Sequence, residues 1–326
     1  MVASVMDYIQ SYSLKLFSDE EALSLFAQHA SGKQSFNISR ILKLHGEDIV
    51  KKCGRLPLAL KTLGRVFRTK LNVEEWEELL EREIWDLDNG SEFLPTLMLS
   101  YYDLSPHLKQ MFVYCCLFPK VYIFDKDELV LLWMAQGFVY LSDRNKSMEN
   151  FGRGCFEELV SRSFFQHSNR GKSRYAMHDL IHDMVSSVSG EFFLLLGDKM
   201  DVYNKHGALE KIHHLSFIHD EYNTYNKYKG LQSARHLRTF LAASVNVSHA
   251  RKKVPKELVP QQKFLRVLSI ANCSVNEVPQ SIGSLKHLRY LNFPNTGITC
   301  IPEIVGDLHN LQSLLLSDYY ALPIGL

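Results

Sequence analysis

Three runs near the C-terminus share one spacing: Leu265-Arg-Val-Leu268-Ser-Ile270, Leu288-Arg-Tyr-Leu291-Asn-Phe293 and Leu311-Gln-Ser-Leu314-Leu-Leu316. Successive copies start 23 residues apart, from 265 to 288 and from 288 to 311. The register also holds between them: Pro279 matches Pro302, Gly283 matches Gly306, and Leu285 matches Leu308. A unit this short cannot bury its own leucines. It supplies one short strand whose inward side chains are covered only by the copies before and after it. The chain from 206 to 326 is therefore expected to be a stacked solenoid with a parallel strand in each turn.

A period of about 20–29 residues around L-x-x-L-x-L is the leucine-rich repeat pattern. The less regular Leu237-Arg-Thr-Phe240-Leu241 is expected to open the array, which runs to Leu326 without a polar capping repeat. The expected fold class is mainly α with a leucine-rich repeat solenoid: a small helical bundle, a winged helix, then α/β-type repeats.

Upstream of about residue 205 the periodicity is helical. Ser18-Asp-Glu-Glu21 is a capping box, in which the serine oxygen takes a first-turn N–H and Glu21 reaches back. Leu23, Phe26 and Ala30 then share a face. A second run carries Ile38, Ile41, Leu42, His45 and Ile49. A third follows Leu56-Pro57, since proline is accommodated in a first helical turn, and carries Leu60, Leu63 and Phe67. A fourth carries Val73, Trp76, Leu80 and Ile84. Four short helices within residues 1–92 predict a bundle.

A different module is expected over 93–205. Ser105-Pro106 reads as a cap with proline at the first helical position, followed by Leu108, Met111, Phe112, Cys115 and Cys116 at helical spacing; Pro119 ends the helix. Asp125-Lys-Asp-Glu128 opens another, whose Leu129 to Met134 run is apolar all round and hence buried. A helix over Phe151 to Val160 leads to Ser163-Phe-Phe-Gln-His167, a polar turn, and Arg174-Tyr-Ala-Met177, which reads as a hairpin. Helices followed by a hairpin make a winged helix, with His178 and Asp179 at the end of the wing and Leu180, Met184 and Val185 opening the helix behind.

Composition excludes several classes. Lys+Arg 37 against Asp+Glu 36 leaves a net charge of +1, so no global field recruits nucleic acid or anionic membrane. The cluster Arg251-Lys252-Lys253 reads as a solvated turn. The six cysteines, Cys53, Cys115, Cys116, Cys155, Cys273 and Cys300, show no C-x-x-C spacing, and no secretory leader follows Met1. They read as reduced thiols of a cytoplasmic protein. The apolar runs near Leu129–Ala135 and Phe192–Leu196 are too short to span a bilayer.

The chemistry centres on Met177-His178-Asp179. An imidazole at a strand–helix junction can meet a phosphate, a metal or a water, or it can simply cap the helix, with Asp179 favoured there by the helix dipole. His178-Asp-Leu-Ile-His182 has the H-x-x-x-H spacing of zinc hydrolases, but aspartate stands where the glutamate base belongs, and no third ligand has a diagnostic spacing. No catalytic or metal residues are therefore assigned. No G-x-x-x-x-G-K-[ST] run occurs: Gly32-Lys33 and Gly171-Lys172 lack both the upstream glycine and the following hydroxyl. DNA reading by a helix over Asp127 to Gln136 is disfavoured, because that helix carries Trp133 and apolar residues instead of exposed cations.

Gly54-Arg-Leu-Pro-Leu-Ala59 resembles the G-L-P-L-A motif of plant nucleotide-binding leucine-rich repeat immune receptors. Leu104-Ser-Pro-His-Leu-Lys-Gln-Met-Phe-Val-Tyr-Cys-Cys-Leu-Phe-Pro119 and Leu131-Leu-Trp-Met-Ala-Gln-Gly-Phe138 resemble the winged-helix stretch of the class with a coiled-coil N-terminus. Met177-His178-Asp179 matches that family's Met-His-Asp motif. Val2-Ala-Ser-Val-Met6 resembles the point just after the core of the family's nucleotide-binding (NB-ARC) domain. The resemblance thus implies a chain that starts downstream of the phosphate loop, with an ARC1-like bundle, an ARC2-like winged helix and the opening repeats. Arg55 departs from the family's Gly-Leu, beside a retained Leu56-Pro-Leu-Ala59.

The resemblance further implies an intracellular defence receptor, not an enzyme, that switches between ADP and ATP. Pro57 would lie against adenine and His178 would approach the β-phosphate. Leu56, Leu58, Met177 and Asp179 would support them, Asp179 by orienting the imidazole or pinning the loop. The partners implied are host or pathogen proteins at the repeats and an intramolecular nucleotide-binding domain, with no nucleic acid and no transmembrane segment. The reading from a different class is a scaffold that binds proteins through its repeats and no nucleotide.

Overall fold

A computed structural model describes residues 15–31, 35–70, 73–81, 85, 94–139, 147–196, 209–217, 233–243, 262–270, 276–293 and 296–316. The chain divides into two compact units, Met1–Leu104 and Ser105–Leu326. Val2–Met6, Ile84, Arg251–Lys253, Cys273 and Leu326 lie outside the described residues, as do the side chains of Ile38, Ile41 and Val73.

The first unit is helical. Helix α1, Asp19–Ala30, starts where the capping box puts it: Glu21 N donates to Ser18 Oγ at 3.2 Å, and Ser18 N donates to Glu21 Oε2 at 2.8 Å. Helices α2 (Ser35–Lys52), α3 (Pro57–Arg68), α4 (Val73–Leu80) and α5 (Leu94–Tyr102) follow. The pair α1 and α3 cross closely at Gly64, where a Cβ would stand 2.9 Å from the Phe26 carbonyl oxygen. That approach draws Phe26, Phe67 and Trp76 into one edge-to-face cluster, with centroids 5.7, 6.2 and 4.4 Å apart. Leu60 and Leu63 are fully buried beside them, whereas Leu23 and Leu42 lie half-covered at the margin.

The second unit opens with helix α6, Pro106–Tyr114, which tightens into a 3-10 turn over Cys115–Leu117 before Pro119. Strand β1 (Ile123–Asp125) leads to helix α7 (Lys126–Gln136), then to helix α8 (Met148–Ser161). Asp125 caps α7 by accepting from the amides of Asp127 and Glu128 at 3.0 and 3.1 Å. Gly137 closes it in the left-handed conformation, φ 79°. The hairpin β2 (Gln166–His167) and β3 (Arg174–Ala176) completes a sheet of order β1-β3-β2, and helix α9 (Asp179–Val188) runs behind it. Three helices and this wing make the expected winged helix. Its third helix is α8, where Arg153 pairs with Asp127 at 2.8 Å and Arg162 with Glu158 at 3.2 Å. The core is aromatic: Phe156 touches Trp133, Phe165 and Tyr175 at centroid distances of 6.2, 5.0 and 4.7 Å.

The repeats form a six-stranded parallel sheet, β4-β5-β6-β7-β8-β9. Strands β6 (Thr239–Ala242), β7 (Val267–Ser269), β8 (Tyr290–Asn292) and β9 (Ser313–Leu315) fall on the motif-bearing turns. Two strands precede them, β4 (Phe193–Leu196) and β5 (His214–Phe217), so the stack opens earlier than Leu237. Ile212, Leu215 and Phe217 occupy the same slots as Leu265, Leu268 and Ile270, and all six are buried in one core. The pattern was hard to see because paired histidines fill the first variable positions and phenylalanine the last leucine slot. The matched prolines N-cap 3-10 turns over Gln280–Ser284 and Glu303–Asp307. Gly283 lies where a Cβ would come within 2.8 Å of Ile304 Cδ1, so a small residue lets adjacent turns nest.

The winged helix covers the outward strand face of these repeats. Gln136 Nε2 donates to Thr239 Oγ1 at 2.6 Å, and Arg266 donates to the Gln136 carbonyl at 2.6 Å. The Tyr114 hydroxyl and His214 Nδ1 also reach Thr239 Oγ1, at 3.2 and 2.9 Å. Ser216 Oγ donates to the Leu117 carbonyl. Further along, Tyr290 and Asn292 both reach Glu128. The apolar all-round sequence of α7 thus has a direct cause: one side packs on α8 and another on the strands.

Candidate functional site at the wing–helix junction

Strand β3 turns Tyr175 inward, 3% exposed, and Met177 follows it into the core at 7%. With these two anchored, His178 is forced out at the start of α9. It is the N-cap, in extended backbone (φ −66°, ψ 144°), and its ring Nδ1 accepts the Leu180 amide at 3.2 Å. Histidine is an unusual N-cap, but any acceptor that reaches an orphan first-turn N–H serves.

That bond has a chemical consequence. A nitrogen that accepts carries no proton, so the neutral ring holds its proton on Nε2. Nε2–H is then an outward donor on an exposed side chain. Capping and anion contact use different ring atoms and are compatible.

The ring is therefore oriented by the Leu180 amide and not by Asp179. Asp179 is exposed in the first turn of α9, where a carboxylate suits the helix dipole. Its charge acts on Lys120, which sequence reasoning passed over. Lys120 Nζ pairs with Asp183 at 2.6 Å, and its ammonium is held above the usual lysine value by that bond and further by Asp179. The site thus offers an imidazole donor, one lysine and two carboxylates. This donor set fits one hydrogen bond to an anionic oxygen; it is not a cationic cradle.

His182 behaves differently. Its Nε2 lies 2.7 Å from the Phe118 carbonyl, which only accepts, so Nε2 is protonated and the buried Nδ1 is left without a partner. One imidazole of the H-x-x-x-H pair caps a helix at the surface and the other ties α9 to the turn before β1. Among the described residues no group of three His, Cys, Asp or Glu could hold a metal.

The Leu-Pro-Leu segment lies in the first unit, and His178 in the second. Leu56 is the N-cap of α3 in extended backbone and Pro57 its first residue; both are half-buried, whereas Leu58 is buried at 6%. Leu58 is thus a core residue, and Pro57 keeps part of its ring accessible. Gly54 and Arg55 both adopt left-handed backbone, φ 52° and 55°, to turn the chain out of α2. Arg55 carries this conformation without glycine's freedom and pairs with Asp19 at 2.6 Å.

The buried thiols are poor nucleophiles, because burial pushes Cys53 and Cys116 up to about 12 and Cys155 to about 11. Cys155 also borders a cavity of about 520 Å³ between His107 and Phe151, away from the His178 junction. Among the described residues, no helix is long and apolar enough to cross a membrane.

Comparison with known proteins bears on the winged helix and the repeats. The family described as disease resistance protein winged helix domain matches residues 117–185, and a leucine-rich repeat region matches residues 236–324. The disease resistance RPP13-like protein 1 of Arabidopsis thaliana is 38% identical over 283 residues, 85% of this chain and 26% of that protein. Disease resistance protein RGA2 of Solanum bulbocastanum is 36% identical over 289 residues, 87% of this chain and 26% of its own length. A third relative, RGA4 of the same species, is 43% identical over 190 residues, 57% of this chain and 19% of that protein. The chain thus spans about a quarter or less of the length of these curated relatives.

Proposed function

We propose, on the premise that this chain belongs to the plant disease resistance proteins, that its Met177-His178-Asp179 junction reads the phosphate end of ADP in an intracellular, cytoplasmic immune receptor. One observation supports this most: the His178 ring spends Nδ1 on the Leu180 amide and presents Nε2–H outward. An N–H donor aimed at an anionic oxygen is the contact the family resemblance calls for, and such charge-assisted bonds are the stronger kind. Met177 anchors the loop from the core. Asp183 pairs with Lys120 and Asp179 acts on the same ammonium, so the one lysine of the site is engaged by carboxylates of α9 and the imidazole N–H is the donor left for an anion.

Pro57, with a partly accessible ring and no N–H, suits the apolar face of adenine, and Leu56 and Leu58 brace it. In this reading residues 1–92 are an ARC1-like bundle, 93–205 the ARC2-like winged helix and 206–326 the start of the repeats. Bound ADP supplies a charge that favours one arrangement of the winged helix, and a nucleotide with different contacts shifts that balance. The chain acts as a switch element and not as an enzyme, through proteins bound at the repeats and a nucleotide-binding domain within the same receptor. Nucleic acid has no place in this reading, which draws on the balanced net charge of +1.

The second reading is a scaffold that binds host or pathogen proteins through the repeats, favoured by the repeat region itself. A thermal-shift titration with millimolar ADP separates the two. The switch reading expects a rise in melting temperature that His178→Ala removes, because ligand binding to the native state stabilises it. No shift in the unsubstituted chain, even at millimolar ADP, would favour the scaffold.

A further inference from the structure

The contact between α7 and β8 contains a polar triangle whose hydrogens can all be assigned. Tyr290 donates its hydroxyl hydrogen to Glu128 Oε1 at 3.0 Å. Asn292 donates one amide hydrogen to the same Oε1 at 3.1 Å and the other to the Tyr290 oxygen at 3.0 Å. One acceptor is left over: Asn292 Oδ1, on a side chain only 2% exposed, has no partner. A buried acceptor without a donor loses its water and gains nothing in exchange, so it is costly to leave unmet. The amide itself cannot fill the gap, since both its hydrogens are spent. The Glu128 carboxyl, which already meets Asn292 Nδ2, can acquire a further hydrogen, and a primary amide places Oδ1 next to that Nδ2.

We propose that Glu128 and Asn292 form a neutral acid–amide pair, with Glu128 Oε1 accepting from Asn292 Nδ2 and a protonated Oε2 donating to Asn292 Oδ1. The pair makes the seam between the winged helix and the repeats a proton-sensitive latch. With the proton in place every member of the triangle is satisfied. When it leaves, Asn292 Oδ1 loses its donor and a charge is stranded in the seam.

The surroundings favour retaining the proton. Burial is the main reason the carboxyl is held above the ordinary glutamate range, and Asp125, at the N-cap of the same helix, adds to it. Tyr290 from β8 and Arg174 from β3 act the other way, favouring the charge. Arg174 is itself paired with Asp125 at 3.7 Å. Tyr122, just before β1, faces the same carboxyl, and its own phenol is pushed up, first by burial and then by Glu128. A carboxyl whose folded value is raised binds its proton more tightly in the folded state. The latch is therefore closed below that raised value and weakens as pH climbs through it.

Glu128→Gln tests this, because a neutral amide keeps an oxygen for Tyr290 and Asn292 Nδ2 and supplies a permanent N–H for Asn292 Oδ1. Its melting temperature is expected to exceed that of the unsubstituted chain by roughly 2–4 °C at about pH 8 and to match it at about pH 5. Parallel curves, or a variant less stable at both values, would overturn the pair. A second variant guards against a failure to fold. Asn292→Ala removes the acceptor and is expected to lower the pH at which the Glu128 carboxyl titrates, followed by carbon NMR of labelled glutamate. An unchanged titration would also overturn the proposal.

Discussion

Phe156→Ala is expected to destabilise the second unit by about 3–5 kcal/mol, the range for deleting a fully buried aromatic ring. The ring is 0% exposed and stands where α7, α8 and the wing meet, in contact with Trp133, Phe165 and Tyr175. These neighbours belong to different elements, so they cannot collapse together into the space without shifting the wing. Domains are stable by only about 5–15 kcal/mol, so the loss is a large fraction of the total. Urea denaturation followed by tryptophan fluorescence measures it. A cost below about 1 kcal/mol would mean that the wing is not held from this core.

The second large effect is acid sensitivity from His214. Its ring lies on Phe193 at 4.6 Å and against Tyr114 at 5.6 Å, and Nδ1 meets Thr239. Burial is the main force that depresses its value to about 3, with His213, Arg238 and Arg266 adding like-charge repulsion. The sign follows from comparing the two states. Unfolded histidine titrates near 6.5, so the unfolded chain takes up a proton that the folded chain refuses. Stability is complete above about pH 6.5 and declines by up to about 1.4 kcal/mol per pH unit as pH falls towards 3. His214→Gln, which cannot charge, is expected to flatten that decline between about pH 6 and pH 4. Equal slopes for the two proteins would place the acid sensitivity elsewhere. The effect runs opposite to that of Glu128, which weakens the same seam as pH climbs through its raised value.

Much of this architecture could be read from local signals. The capping box at Ser18, the proline after Leu56 and the Asp125 cap mark helix starts because each satisfies specific first-turn amides. The strict spacing of Leu265, Leu288 and Leu311 marks strands because each leucine needs a neighbour one turn away. Less could be read where tertiary contact decides. Strand β5 was hidden because His213 and His214 look like surface residues, while one of them is buried under the winged helix. The apolar circumference of α7 indicated burial without indicating the covering, which comes from repeats more than a hundred residues later.

At the candidate site, sequence alone named Met177, His178 and Asp179 but could not divide their roles. The ring is oriented by a backbone amide two residues on, a contact available only once α9 forms. His182 looked like a partner for His178 and is instead an internal tie to Phe118. Lys120 was invisible because it lies far away in sequence and reaches α9 through the turn before β1. Pro57 and Leu58 read alike in the motif, yet Leu58 is core and Pro57 remains half-accessible.

The central claim is that His178 spends Nδ1 as an acceptor for the Leu180 amide and carries its proton on Nε2, ready to donate to a phosphate oxygen. Nitrogen NMR of the ring, with ADP added stepwise to the chain at neutral pH, reads both parts at once. The account expects a protonated Nε2, an unprotonated Nδ1, and an Nε2 resonance that moves with ADP while the Leu180 amide contact persists. A ring protonated on Nδ1, or an Nε2 resonance unmoved at millimolar ADP, would contradict it.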